Sequence, residues 1–383
     1  MRLFLIMCAL IFATYCQARI EGNGPVKFTK MVLDTAFRSE AAAPGDVNND
    51  GMMDVMAGEV WYEAPEWKIH EVQVPGKYNY QAGYSETFGQ FAFDANRDGW
   101  VDVVISNMQN RPIRWFENPK NAEGHWKEHI GFRNTSNETI VAGDLLGTGQ
   151  VVPVFGVRPE GYMAWFDINV NVGESWKMYV IDGPEAPASK KYSHGLGLGD
   201  MNGDHRMDVI CTAGWWEAPI DPTSSPWVMH KADLGPDCAD MLVYDVDGDG
   251  DSDVITSSAH KYGIWWHENF DGNATEFKRH LIYDKVSQTH AMRLADINGD
   301  GIMDFVTGKR YYAHNGKDPG AEEPAVIFWF EIRRNAGRPE FIYHEIDANS
   351  GIGTLFEVAD MNSDSKPDII VANKKGVFVF EQE

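Results

Sequence analysis

The chain has 383 residues, 43% apolar and 12% aromatic, enough to bury a large core and unlike an intrinsically disordered chain. Its formal charge of −24 at pH 7 argues against nucleic acid and anionic membrane surfaces as partners. Cysteine is too scarce for a disulfide framework, because beyond Cys8 and Cys16 only Cys211 and Cys238 remain, a pair free to bridge or not.

Residues 1–18, MRLFLIMCALIFATYCQA, place Arg2 before an apolar run and end in small residues, the form of a secretory signal cut after Ala18. The run is too short for a membrane span. Residues 19–383 are therefore expected outside the cell or in a periplasm. The sequons at Asn134, Asn137 and Asn273 are compatible with export.

A short strand, FTKMVL from Phe28, precedes the first of a series of acidic loops. The loops are DVNNDGMMD (46–54), DANRDGWVD (94–102), DMNGDHRMD (200–208), DVDGDGDSD (245–253), DINGDGIMD (296–304) and DMNSDSKPD (360–368), with a decayed copy, DLLGTGQVV, at 144–152. Their first aspartates lie 45 to 64 residues apart, the period of a propeller blade. Each loop follows a short apolar stretch and leads into a β-branched run such as DVVIS or DIIVA. Next comes an aromatic–aromatic–acid signature such as Trp61-Tyr62-Glu63 or Trp215-Trp216-Glu217, and then a strand headed by Trp67, Trp126, Trp176, Trp227, Phe277 or Phe341.

These marks predict an all-β fold, a seven-bladed β-propeller of four-stranded antiparallel blades. The seventh blade reaches Glu383 without a fourth strand, so the strand from Phe28 is expected to complete it and close the ring.

Alternating Asp/Asn oxygens around a glycine turn suit Ca²⁺. The expected ligands are Asp46, Asn48, Asp50 and Asp54; Asp94, Asn96, Asp98 and Asp102; Asp200, Asn202, Asp204 and Asp208; Asp245, Asp247, Asp249 and Asp253; Asp296, Asn298, Asp300 and Asp304; and Asp360, Asn362, Asp364 and Asp368. A loop joining two strands of one blade has no helix to move, so several such ions are expected to act as structural clips. His205 and Ser365 replace the turn glycine in blades four and seven.

The face opposite the loops is where binding residues are expected. Six residues before each first aspartate stand Glu40, Phe88, Glu138, His194, Ala239, His290 and Thr354, so two histidines and two glutamates share one register around a single mouth. His194, His290, Glu40 and Glu138 are candidate ligands for one Zn²⁺, or else packing residues between blades. By contrast, His70, His129, His230, His280 and His344 recur three residues after a strand-heading aromatic and read as structural.

The second-to-third-strand hairpin is much the longest in blade six, TGKRYYAHNGKDPGAEEP (307–324), and carries Lys309, Arg310, Tyr311, Tyr312 and His314 towards the same face. With His260 of blade five these are candidates for substrate binding and proton transfer, the alternative being a solvated hairpin. Arg293 and Glu357, three residues before consecutive loops, are expected to pair between blades.

The repeat resembles the FG-GAP or VCBS repeats of bacterial surface proteins and integrin heads. YSHGLGLGDMNGDHRMDVI, GWWEAP, SQTHAMRLADINGDGIMDFVTGKRYYAHNGKDPG and GIGTLFEVADMNSDSKPDIIVANKKGVFVF further resemble the propeller domain of aldos-2-ulose dehydratases. That resemblance implies a carbon–oxygen lyase dehydrating a keto-sugar, with a cleft Zn²⁺ held by His194 and His290 with Glu40 or Glu138. Those enzymes carry cupin and lectin domains after the propeller, which this chain does not show. The alternatives are a non-catalytic carbohydrate- or protein-binding repeat protein, and a polysaccharide lyase using Lys309 and Arg310 on a uronate.

Overall fold

The computed structural model describes residues 26–383 apart from 108–110, 139, 169–173, 237, 239 and 336–337. The expected export segment and Ala239 lie outside the described residues. Seven antiparallel sheets of four strands form the blades of a propeller. Blade one runs Ala43–Gly45, Asp54–Ala57, Val60–Glu63 and Lys68–Glu71, and the others repeat that order. The strand Phe28–Asp34 pairs with Gly376–Gln382 at the edge of the last sheet, with Phe28 opposite Gln382, so the chain's two ends close the ring. Closure pairs an edge that an open array would expose.

Second strands such as Asp102–Ser106 and Asp253–Ser257 are buried along their whole length, because each packs against a neighbouring blade on both faces. The apolar core consequently lies between blades. One cluster joins Val152, Val154 and Trp165 of blade three to Leu196, Val209 and Trp216 of blade four.

The acidic loops are held from within. In blade one Asp46 accepts the amides of Asp50 and Gly51 at 3.1 and 2.9 Å, and the decayed loop keeps this turn through Asp144. The sixth position needs a left-handed backbone, with φ of 85° at Gly301, 66° at His205 and 67° at Ser365.

The ninth-position aspartates have a backbone role that their spacing did not disclose. Asp304 is fully buried and accepts the amides of Ile297 and Ile332, both at 3.0 Å, stapling the loop to the end of the third strand. Asp54, Asp102, Asp208, Asp253 and Asp368 do the same in their blades. Burial raises these carboxyls to about 6 or 7 even though the amides pull the other way.

The acid signature also has its explanation. His70 stacks on Trp61 with ring centroids 4.4 Å apart and puts Nε2 within 2.6 Å of Glu63, tying the third strand to the outer one. His129, His230, His280 and His344 repeat this arrangement with Glu117, Glu217, Glu268 and Glu331. In blade three Tyr179 takes the histidine's place against Trp165.

Arg293 pairs with Glu357 at 3.0 Å and, in addition, with Asp240 at 2.8 Å, so one guanidinium links blades five, six and seven. Cys211 and Cys238 are buried and form no disulfide, and Cys238 Sγ donates to the Asp240 carbonyl at 2.8 Å. Asn137 is buried and donates to the Ala188 carbonyl, so its side chain is not open to a glycan in the folded protein.

Candidate functional site

Hydrogen bonds between neighbouring blades draw the register residues together. The Glu40 amide donates to Thr87 O, Thr354 donates to Glu40 O, and the Glu138 amide donates to Ser193 O. The beginnings of first strands thus form an inner ring, from which Glu40, Glu138, His194 and His290 reach one mouth.

Glu138, His194 and His290 converge there. Glu138 Oε2 lies 3.3 Å from His194 Nε2 and its Oε1 lies 3.5 Å from His290 Nε2, all three side chains being buried. A tetrahedral ion with bonds of about 2.1 Å spaces its ligand atoms about 3.4 Å apart, and one ligand atom from each of the three residues lies within 4.8 Å of the others, so a small adjustment brings them round one ion. Among the described residues His194 Nε2 and both ring nitrogens of His290 are buried without a hydrogen-bond partner, a costly state that a cation bound at the two Nε2 atoms relieves in part.

Glu40 does not join this group. It sits 3.7 Å from Arg310 Nε and 4.0 Å from Lys374 Nζ, so in the structure it balances two cations. Arg310 is the central element: its Nη1 donates to Glu138 Oε1 at 2.6 Å, and its guanidinium lies 5.6 Å from the rings of both Tyr84 and Phe88. The Arg310 amide is fixed by Gln288 O at 2.9 Å.

Lys309 takes the opposite direction, which corrects the expectation that it faces the cleft. It is fully buried, donating to Ser287 Oγ of blade five's outer strand at 2.9 Å and to Gly320 O, and so ties the long hairpin to its own root and to the neighbouring blade. Successive residues of an extended chain point to opposite sides, so with Arg310 at the mouth Lys309 cannot be there.

The charges follow from burial. Burial alone would raise Glu138, but Arg310 and the two imidazoles outweigh it and hold the carboxyl well below its usual range. Burial raises Glu40, with Arg310 and Lys374 opposing, and burial reinforced by Arg310 drives His290 well below the usual imidazole value. An ionised carboxylate beside a neutral imidazole is the state a metal ligand needs. Burial also lowers the Lys374 amine.

The blade-five and blade-six hairpins extend the cluster outwards. His260 lies 4.9 Å from His194 and 4.5 Å from His314 between ring centroids, and His260 and His314 both address Asp318. Tyr311 and Tyr312 lie further out with Tyr80, at centroid distances of 6.1 and 5.5 Å. Lys374, Lys375 and Tyr311 help line a cavity of about 440 Å³ beside them. A larger cavity, about 840 Å³, lies elsewhere, between Trp61 and Trp126 at the acidic-loop side of blades one and two.

Sequence reasoning missed Asp318 and Lys374. Asp318 sits within the long hairpin already singled out, and Lys374 in the tight turn NKKG (373–376) of blade seven, whose place on the mouth face was a usable signal.

On the loop side, carboxylate oxygens of Asp245, Asp247 and Asp249 lie within 4.8 Å of one another. These aspartates also accept amides of their own loop, as Asp94, Asp200, Asp296 and Asp360 do in theirs.

Residues 245–307 match the model of an FG-GAP-like repeat. No curated protein sequence matches the chain. Among solved structures, a rhamnogalacturonan lyase, YesW, is 12% identical over 92% of this chain and 72% of its own, with a TM-score of 0.49. A Bacillus licheniformis rhamnogalacturonan lyase is 11% identical over 93% and 75%, with a TM-score of 0.45. An Agrocybe aegerita lectin, described as recognising non-reducing terminal N-acetylglucosamine, is 14% identical over 84% and 81%, with a TM-score of 0.44. At this level of similarity none of them bears on what this chain binds or does. Among the described residues no helix is long and apolar enough to cross a membrane.

Proposed function

We propose that this chain is an exported, calcium-stabilised propeller that acts as a metal-dependent carbon–oxygen lyase on a keto-sugar. The observation that carries the proposal is the convergence of Glu138, His194 and His290, a buried carboxylate and two buried imidazoles whose ligand atoms lie within 4.8 Å of one another, with imidazole nitrogens that lack a hydrogen-bond partner among the described residues. The carbohydrate class rests on the resemblance of the repeat segments to aldos-2-ulose dehydratases.

A Zn²⁺ held by these residues would supply a Lewis acid for the ketone oxygen. The chain's own groups do the rest. Arg310 fixes the Glu138 carboxylate and keeps it ionised, while the Tyr80, Tyr311 and Tyr312 rings offer apolar faces for a sugar at the rim. A proton leaves the carbon beside the ketone for a base of the mouth, and returns to the departing hydroxyl, which leaves as water. The groups at hand for that exchange are the imidazoles of His260 and His314 and the Lys374 amine, made easier to deprotonate by burial.

The test is incubation of wild type and a His194→Ala/His290→Ala variant with 1,5-anhydrofructose, following the conjugated ketone by ultraviolet absorbance and Zn²⁺ by elemental analysis. Loss of both product and about one Zn²⁺ per chain from a folded variant is expected. Turnover equal to wild type in that variant overturns the proposal.

A further inference from the structure

The geometry points to a second divalent transition-metal site in the same mouth, formed by His260 Nδ1, His314 Nδ1 and a carboxylate oxygen of Asp318. It does not rest on the lyase reading. One ligand atom from each of the three residues lies within 4.8 Å of the others, and the residues come from two separate hairpins. His314 Nδ1 is 2.9 Å from Asp318 Oδ1 and His260 Nδ1 is 3.4 Å from Asp318 Oδ2.

Hydrogen bonding among these three groups leaves one of them unsatisfied. If His314 donates to Asp318, the His260 Nδ1 atom is still buried with no partner. As a protonated nitrogen it lacks an acceptor in line, and as an unprotonated one it turns its lone pair on a carboxylate. A cation between the three atoms satisfies all of them at once, in the donor set that imidazole-binding metals such as Zn²⁺ take.

The hairpin is also bent to present His314. Tyr312, His314 and Asn315 all take left-handed conformations, with φ of 56°, 46° and 55°, which none of these residue types adopts without cost. The His314 amide is anchored by the Tyr84 hydroxyl at 2.8 Å. Because His260 touches His194, the second site would stand beside the first, and the proton exchange of the proposed reaction would fall to Lys374.

The test is titration of the metal-free full chain, in Ca²⁺-containing buffer, with Co²⁺ and with Zn²⁺, reading cobalt absorbance and bound metal. Wild type is expected to take up about two equivalents, and Asp318→Asn or His260→Gln to take up about one. The His194→Ala/His290→Ala variant should keep the equivalent that Asp318→Asn loses. A single equivalent in wild type that Asp318→Asn leaves untouched overturns the second site and leaves the first standing. A single equivalent lost only in Asp318→Asn keeps the second site and removes the metal centre of the proposed lyase. The wild-type stoichiometry decides even if a variant misfolds.

Discussion

Replacing Arg293 with methionine removes the guanidinium that links three blades while leaving apolar bulk in its place. Asp240, whose side chain is 8% exposed, keeps only the Met292 amide at 3.2 Å, and Glu357, 29% exposed, loses a two-pronged partner. Breaking a buried ion pair costs about 3–5 kcal/mol. The lower end applies here, about 3 kcal/mol, because Glu357 is partly solvated and a cavity of about 260 Å³ alongside Asp240 and Arg293 admits water. The deficit must depend on pH. Burial already raises the Asp240 carboxyl against the pull of Arg293, and without the arginine it rises further. A carboxyl whose folded pKa exceeds its unfolded value of about 3.9 destabilises the fold at high pH, and this cost fades as pH falls through the folded value towards 3.9. Urea unfolding of wild type and Arg293→Met at pH 7.5 and pH 5, with Ca²⁺ held constant, reads both effects. Adding Asp240→Asn to the variant should restore part of the loss at pH 7.5. A difference under about 1 kcal/mol, or one equal at both pH values and untouched by Asp240→Asn, refutes the account of a buried, charge-balanced triad.

Three further outcomes are expected. Gly301→Ala should cost about 1–2 kcal/mol, because its φ is 85° while an added Cβ meets nothing within 4 Å, so the loss is backbone strain alone; an unchanged urea midpoint would contradict this. Burial, reinforced by Arg279, lowers His267 to about 4, so its contribution is present above about pH 6.5 and lost as pH falls towards 4, by about 3 kcal/mol. Wild type should lose that much relative to His267→Gln between pH 7 and pH 4, whereas a constant gap would show that the imidazole charges in place. Chelating Ca²⁺ should lower the denaturation temperature reversibly, each ion at a hundred times its Kd contributing about 2.7 kcal/mol, with Asp247→Asn blunting the effect because its loop gathers three carboxylates. A temperature indifferent to chelator would remove calcium from the account of the loops.

The repeat was legible because each blade reuses the same local devices. A loop that needs a left-handed sixth residue, a buried second strand and a Trp–His–Glu tie all recur at fixed offsets, and the missing last strand pointed to Phe28–Asp34. The same counting placed Glu138, His194 and His290 at equivalent ring positions, and closure of the ring necessarily brings equivalent positions together. What register could not supply was direction and charge balance. Lys309 and Arg310 are adjacent in the chain, yet one staples its own hairpin and the other crosses to Glu138, 172 residues away. Glu40 shares the register of the metal-like group but is drawn to Arg310 and Lys374, and Asp318 matters only because two hairpins fold onto it. Local spacing determined the blades and the ring of candidates. Contacts between blades decided which candidates meet and which charges they keep: the Arg293–Glu357 pair was readable from its register, whereas Asp240's share in it and the Arg310–Glu138 bond were not.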